Sequence, residues 1–488
     1  MKRLTLMACC LMATAMMAVK AAPVKKSSTM KNIGCKMVVI SDIHLLAPDL
    51  FDNGEASQRL ASGDMKLVLH SDLIMQRMVD EIIAQKPQLM LITGDLTLNG
   101  SRASHERLIS HLRRMEKAGI KVLVIPGNHD INNPNARNYK GAQSQDVPTI
   151  TREEFAELYY DFGYGEGSKR DPNSLSYVCE PVPGLIMLCI DTNRDEDNRL
   201  KSRGDTENSY HNDGRVKDAT LDWIRQQLEQ AKADGKRVVA TMHHHLLEHI
   251  DGEARVLSNY IVSKHQKVAE ALVKGGVKAV FTGHLHITDA ATIGGITDVA
   301  TGSASTYPLP IRTVEIDRNL DSLRITTRFF DNLDPQLLEQ GRQQVEKGAD
   351  AIGMMISGKL WQRFSRMKDN MDMLAAQGVD ISLLPKSAQE LSALALKYMR
   401  EPLKQSLLLV SRGGEEPSQG VAIIDAVKQG VRGMLDEILP GQDDLAEFLM
   451  ENLMPRVETA MRSALEDINM VGTENQSSTP DHTLVLPL

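Results

Sequence analysis

Met37-Val38-Val39-Ile40-Ser41-Asp42-Ile43-His44 is the stretch on which the fold turns. Four apolar residues in a row, three of them β-branched, read as a strand buried on both faces. The run then stops on polar residues of metal-ligand type. The same grammar recurs along the chain. Leu89-Met90-Leu91-Ile92 runs into Thr93-Gly94-Asp95, and Val122-Leu123-Val124-Ile125 into Pro126-Gly127-Asn128-His129-Asp130. Val238-Val239-Ala240 precedes Met242-His243-His244-His245, and Ala279-Val280-Phe281 precedes Gly283-His284-Leu285-His286. Between these runs, Asp72 to Gln85, Ser104 to Ala118 and Lys217 to Ala233 carry apolar residues at helical spacing. Strands alternating with helices predict an α/β domain over residues 36–331. Ligands of open α/β sheets sit at the carboxyl ends of the strands, so the five polar clusters can converge on one crevice.

Outward from this frame, Asn132 to Arg170 reads as a long polar insertion with one helix, Arg152 to Tyr160. Ser174 to Ile190 reads as a hairpin, and Ala291 to Phe330 as a strand-rich close. After Asp331 the period changes. Leu338, Val345, Ile352 and Met355 share one helical face, and similar stripes run through Leu391 to Leu409, Val421 to Leu439 and Leu445 to Leu465. These stripes predict an all-α domain over residues 332–471, broken at Gly413-Gly414-Glu415-Glu416-Pro417. Its core is expected to bury Met354-Met355-Ile356 and Met450, Leu453 and Met454. Residues 472–488 read as a flexible tail.

A chain of 488 residues is long enough for two such units. With 25 methionines but only 4% aromatic residues, its cores rely on adaptable aliphatic packing. The formal charge of −8, without a basic run after the first residues, argues against nucleic-acid scaffolding or an anionic membrane surface as partner. Residues 1–21 read as a signal peptide: Lys2 and Arg3, an apolar stretch from Leu4 to Val19, then Val19-Lys20-Ala21 before Ala22. That predicts an exported protein, periplasmic or secreted, without a transmembrane anchor after cleavage. Leu6-Met7-Ala8-Cys9 falls too early for lipidation to be the better reading. Cleavage would leave Cys35, Cys179 and Cys189, an odd, sparse set rather than a disulfide framework. Pairing about Pro181-Val182-Pro183-Gly184 sets Cys179 opposite Ile186, so buried free thiols are favoured over a disulfide to Cys35.

The ligand types decide the chemistry. Carboxylate oxygens with imidazole nitrogens suit Zn, Fe, Mn or Ni, and the lack of Cys ligands argues against a structural zinc site. In Asp42-x-His44 and His284-x-His286 both side chains of a pair face one way if the backbone is extended. Two such pairs and one bridging aspartate would hold two ions about 3.5–4 Å apart, clamp a phosphate and generate hydroxide between them. Each piece alone has a plainer reading. Asp95 could cap a helix, Asn128 could sit in a turn, and His243 to His249 could be a solvated face. The joint order, one cluster after each strand, carries the inference.

Asp42-x-His44, Gly94-Asp95, Gly127-Asn128-His129-Asp130, His243 and Gly283-His284-x-His286 together resemble the successive motifs of the calcineurin-like metallophosphoesterases. The resemblance implies a four-layer sandwich, α/β/β/α, and hydrolysis of phosphate mono- or diesters with two divalent or trivalent ions. By position, Asp42, His44 and His286 would hold one ion, Asn128, His243 and His284 the other, and Asp95 would bridge. His129 would be the catalytic histidine at the leaving oxygen, and Asp130 would orient its neighbours. Thr301-Gly302-Ser303, leading into Tyr307-Pro308, resembles the family's closing Gly-Ser turn. The family often carries a proline two residues after the fourth-motif histidine. His245 stands there, and if Leu246 takes the proline's place the ligand is His244. The end of the strand pattern at Met242 favours His243. A non-catalytic phosphate-binding module is the competing reading, and an intact ligand set with His129 present weighs against it.

Overall fold

The computed structural model describes residues 33–198, 210–365, 375, 378–413, 417–465 and 482–488. The signal-peptide segment therefore lies outside the described residues, as does most of the expected tail. No helix among the described residues is long and apolar enough to cross a membrane.

The strands in chain order are β1 (Ile33–Ile40), β2 (Leu89–Ile92), β3 (Lys121–Val124), β4 (Arg137–Asn138), β5 (Gln145–Asp146), β6 (Ser168–Arg170), β7 (Tyr177–Val182), β8 (Leu185–Ile190), β9 (Arg237–Met242), β10 (Ala279–Thr282), β11 (Asp289–Ile293), β12 (Ile296–Ala300), β13 (Pro310–Asp317), β14 (Ser322–Phe329) and β15 (Thr483–Pro487). They form a six-stranded sheet, ordered β15-β14-β13-β1-β2-β3, and a seven-stranded sheet, ordered β11-β12-β10-β9-β8-β7-β6. β4 and β5 make a separate ribbon inside the insertion. Both sheets are mixed: β1, β2 and β3 run parallel, as do β8, β9, β10 and β12, with antiparallel strands outside them.

Side-chain alternation stacks the layers. In β8, Met187 and Cys189 join the large core that also takes Val239 and Phe281 and the strands of the first sheet. Leu188 and Ile190 point the other way, into a second core with Val238, Ala240 and Val280, closed by Trp223, Ile224 and Leu228 of the helix Asp218–Ala233. On the first sheet the outer layer is the pair Ser71–Gln85 and Arg102–Lys117, which contribute Met78, Ile82, Leu108 and Leu112. The result is the four-layer α/β/β/α sandwich, with helices after Asp331. Full burial of an aliphatic side chain is worth about 1.5–3 kcal/mol.

Register places the polar clusters. Ile40 pairs with Ile92 and Ile92 with Val124, so the chain leaves β1, β2 and β3 along one edge. The continuation is a second ladder: the Asp42 amide donates to Gly94 O (3.1 Å), His44 to Asp95 O (2.9 Å) and Leu45 to Leu96 O (3.1 Å).

Among the described residues four long helices follow, Pro335–Ser365, Ala388–Ser411, Pro417–Ile438 and Asp443–Leu465. Leu409, Ile423, Ile424 and Leu465 form one small core there, and Val379, Leu384 and Leu439 another. Three expectations are corrected. Residues 483–487 are not loose tail but β15, paired antiparallel with β14 from Ser322↔Pro487 to Thr326↔Thr483, which ties the chain's end to the first sheet. Cys179 lies opposite Met187, not Ile186, because an irregularity between Cys179 and Val182 shifts the register. Met354 is half exposed, although Met454 is buried as expected. Cys35, Cys179 and Cys189 are buried free thiols, and burial pushes Cys35 up to about 11 and Cys179 up to about 12.

Candidate metal centre

Asp42, His44, Asp95, Asn128, His129, His243, His284 and His286 meet at the strand ends in two adjoining groups. Asp42, His44 and His286 form one; Asp95, His243 and His284 form the other, with His129 close to Asp95 and His44. The Asp95 Oδ2 atom lies between them, 3.5 Å from His44 Nε2 and 3.4 Å from His243 Nε2. Its other oxygen accepts the His129 amide at 2.9 Å. In the first group, Asp42 Oδ1 is 3.2 Å from His286 Nε2 and 3.8 Å from His44 Nε2. In the second, His243 Nε2 faces Asn128 Oδ1 at 3.0 Å.

The hydrogen bonds around these groups turn lone pairs inward. His243 Nδ1 bonds Thr93 O at 2.9 Å, which leaves Nε2 for the centre. His284 Nε2 bonds Asn259 O at 3.1 Å, which leaves Nδ1. The Asn128 amide nitrogen donates to Tyr210 Oη at 2.6 Å, which aims its carbonyl oxygen at His243. Asp42 Oδ2 accepts from Ser41 Oγ (2.5 Å) and from the His284 amide (3.0 Å), while buried Asp42 Oδ1 accepts no hydrogen bond. An imidazole lone pair facing a carbonyl oxygen at 3.0 Å, beside an orphaned carboxylate oxygen, is an arrangement that a cation would satisfy. The field agrees. Burial opposes charge on His243, yet the Asp95 carboxylate raises it to about 9, so the same Nε2 lone pair that would meet a cation draws a proton strongly. Burial alone would raise the Asp95 carboxyl, but the charges of His243 and His129 around it hold it well below its ordinary range.

The backbone here is strained rather than extended, and this corrects one expectation. Asp42 (φ 51°), His44 (φ 45°), Asp95 (φ 47°), His284 (φ 70°) and His286 (φ 61°) all lie in the left-handed region. Each such non-glycine residue costs about 1–2 kcal/mol, and strain of this kind gathers at functional sites. The second ladder from Asp42 to Leu45 holds two of them in place. Gly283 shows how close the packing is: a Cβ there would stand 2.0 Å from Ser41 Oγ and 2.5 Å from Asp42 Oδ2.

The ambiguous histidines separate by geometry. Both ring nitrogens of His244 have protein partners, Thr192 Oγ1 at 2.8 Å and Asn212 O at 3.2 Å, so it has none left for the centre. The run to His249 is no solvated face. His245 is buried against Glu253 (2.7 Å) and His249 against Asp289 (2.5 Å), in a network that braces the loop from behind. Asp130 accepts the amides of Gly127, Leu96 and Thr97 and the Thr97 hydroxyl at 2.8–3.0 Å, locking the turn after β3 onto the turn after β2. Ser303 Oγ donates to Asp42 O at 2.8 Å, so the Gly-Ser turn supports the first ligand loop.

His129 differs from the rest. Its Nδ1 is taken by Leu98 O (2.5 Å) and Asn99 Oδ1 (3.0 Å), and its Nε2 faces Asp95 Oδ2 from 4.0 Å. Its side chain is 25% exposed, against 1% for His44 and 0% for His243. Burial still lowers its pKa. Sequence reasoning missed Tyr210, whose ring centre lies 6.0 Å from that of His129, and Tyr260, 4.9 Å from His284. Neither stands in a motif, and no local signal marks them.

The sequence model of the calcineurin-like phosphoesterase family matches residues 35–288, more than half of the chain, and the chain belongs to that family. Its class of activity is phosphoester hydrolysis. A probable cyclic nucleotide phosphodiesterase of Rhodococcus erythropolis is 23% identical over 275 residues, 56% of this chain and 71% of that protein. A probable glycerophosphodiester phosphodiesterase GpdQ of Arcobacter nitrofigilis is 28% identical over 206 residues, 41% of this chain and 57% of its own length. Among solved structures, a dimetal phosphatase from Danio rerio is similar at 14% identity and a TM-score of 0.44, over 61% of this chain and 97% of that one.

Proposed function

We propose that this chain hydrolyses phosphate mono- or diesters at a centre of two metal ions, one held by Asp42, His44 and His286, the other by Asn128, His243 and His284, with Asp95 shared. The observation that carries the reading is the position of Asp95 Oδ2, within 3.5 Å of one histidine from each group. The donor set is mixed carboxylate, imidazole and amide oxygen, which suits Fe, Mn, Zn or Ni. When bound, such ions would supply Lewis-acid polarisation of the phosphoryl group and an activated water. Asp95 and Asp42 offset the positive charge, the backbone ladder fixes ligand spacing, and His129 Nε2 presents a proton donor to the leaving oxygen. Both curated relatives are named as phosphodiesterases, which favours diesters as the first substrates to try.

The direct test is turnover by purified, metal-loaded protein on a panel of mono-, di- and cyclic phosphoesters. Hydrolysis of at least one class is expected. Two bound ions with no turnover on any ester would favour the non-catalytic phosphate-binding module instead. A second test concerns the neighbouring histidines. His243→Ala should lose one ion and abolish activity. His244→Ala should keep both ions and cost about 1–3 kcal/mol of stability, since it leaves Thr192 and Asn212 groups unpaired in the interior. The opposite order in metal analysis would move the ligand by one residue.

A further inference from the structure

Tyr210 stands at the centre without belonging to any motif, on a segment between β8 and the helix Asp218–Ala233 that is pinned almost residue by residue. The His211 amide donates to Asn198 Oδ1 at 2.8 Å, and Asn198 Nδ2 donates to Ile131 O at 3.4 Å, just past the turn that carries Asn128. Asn212 O meets His244 Nε2 at 3.2 Å, and Arg194 Nη1 donates to Asp213 Oδ2 at 2.5 Å. Gly214 packs flat on His244, where a Cβ would stand 2.6 Å from Cγ, and its carbonyl accepts the Ser263 amide at 2.8 Å. The Arg215 amide closes the segment on Thr192 O at 2.7 Å. A backbone held in this way places the Tyr210 side chain before any ligand arrives.

Only part of that hydroxyl's bonding is used. Tyr210 Oη accepts the Asn128 amide nitrogen at 2.6 Å, while the oxygen of the same amide faces His243 Nε2 at 3.0 Å. A phenol also carries one proton to donate, and among the described residues no group accepts it. The side chain is half-buried, not sealed, and its ring meets the His129 ring edge-on at 6.0 Å. An uncommitted O–H thus stands one amide away from the oxygen that would hold an ion. A phosphoester at that ion brings anionic oxygens, the strongest of acceptors, to the same corner.

We propose that the Tyr210 hydroxyl donates a hydrogen bond to an oxygen of the phosphoester bound at the ion of Asn128, His243 and His284. The role rests on the phosphoesterase reading above. It makes Tyr210 a substrate-binding residue as well as the support of Asn128.

Tyr210→Phe removes one oxygen and keeps the ring, so the fold should persist, which circular dichroism checks. Losing the partner of Asn128 should weaken one ion about 10–100-fold, and excess metal ion should restore two ions per chain. At that full occupancy, calorimetry measures binding of inorganic phosphate, and kinetics measure KM and kcat on bis(p-nitrophenyl) phosphate. A hydrogen bond to a charged oxygen is worth enough that phosphate affinity should fall, and KM rise, about tenfold or more. Because ground state and transition state share the contact, kcat should change far less than KM. A residue that only supports Asn128 would behave differently: excess metal ion would return phosphate affinity and KM to the wild-type values, and that result overturns the proposal. A variant that never regains its second ion assigns Tyr210 wholly to Asn128 and overturns it likewise. If the wild type neither binds phosphate nor hydrolyses any ester, the phosphoesterase reading fails first and takes this one with it.

Discussion

Asp95→Ala is expected to weaken binding of both ions together and to abolish turnover while the fold persists. Among the described residues, Asp95 Oδ2 is the one carboxylate oxygen within 3.5 Å of both His44 and His243, and its removal leaves His44, His243 and His129 converging on a point that has lost its negative charge. Disturbing residues that merely orient a ligand typically costs 10–100-fold in metal affinity. A shared ligand should exceed about 100-fold, and at both positions. The side chain also accepts the His129 amide, so the turn after β3 loses one bond, but Asp130 still holds that turn through the Gly127, Leu96 and Thr97 amides. Elemental analysis with circular dichroism reads both properties. One tightly bound ion per chain, unmoved by the substitution, would sink the two-ion scheme. Asp95→Asn refines the test by keeping the shape and removing the charge, and it should fall between wild type and alanine.

The frame of the molecule is legible in the sequence because it is local. β1, β2, β3, β9 and β10 are short apolar runs that end on polar clusters, and each polar cluster is fixed by the strand that precedes it. Where the sequence reading departs from the structure, the deciding contact is distant. β15 lies across β14 from a segment more than 150 residues away in sequence, and its Thr483-Leu484-Val485-Leu486-Pro487 looks like any short apolar stretch. The register of Cys179 depends on an irregularity that no residue type announces. Side-chain direction in Asp42-x-His44 follows from a ladder with residues 94–96 that forces a left-handed backbone, not from the extended conformation that spacing suggests.

The site divides in the same way. Its eight motif residues stand next to the strand ends and can be read from order alone. Tyr210, Tyr260 and Asn259 come from loops without a motif and reach the centre only because the chain folds there. The choice between His243 and His244 lies in between. The strand's end favours His243, and the Thr192 and Asn212 partners of His244 give the physical reason.

His129→Ala is expected to leave both ions and the fold in place and to lower kcat about 10²–10⁴-fold, the usual contribution of general acid help. His129 differs from His44 and His243 in two respects: its Nε2 stands 4.0 Å from Asp95 Oδ2, against 3.5 and 3.4 Å for theirs, and its side chain opens further toward solvent; like His243 it is anchored at Nδ1, here by Leu98 and Asn99. A ring anchored at Nδ1 with Nε2 free at the rim can meet a leaving oxygen without giving up a structural role. Burial disfavours the protonated ring, and the negative charge of a phosphoester beside Nε2 would offset that, so the proton for the leaving oxygen belongs to the substrate-bound state. If that proton is what matters, the loss should shrink on aryl phosphates, whose leaving groups need little protonation, and should be largest on alkyl esters. An equal loss on every ester would instead assign His129 to stabilising charge on the phosphoryl group. Loss of an ion in the variant would make it a ligand, consistent with its proximity to His44 and Asp95. Full activity with two ions bound would remove it from the reaction, and the leaving oxygen would then have to draw its proton from solvent.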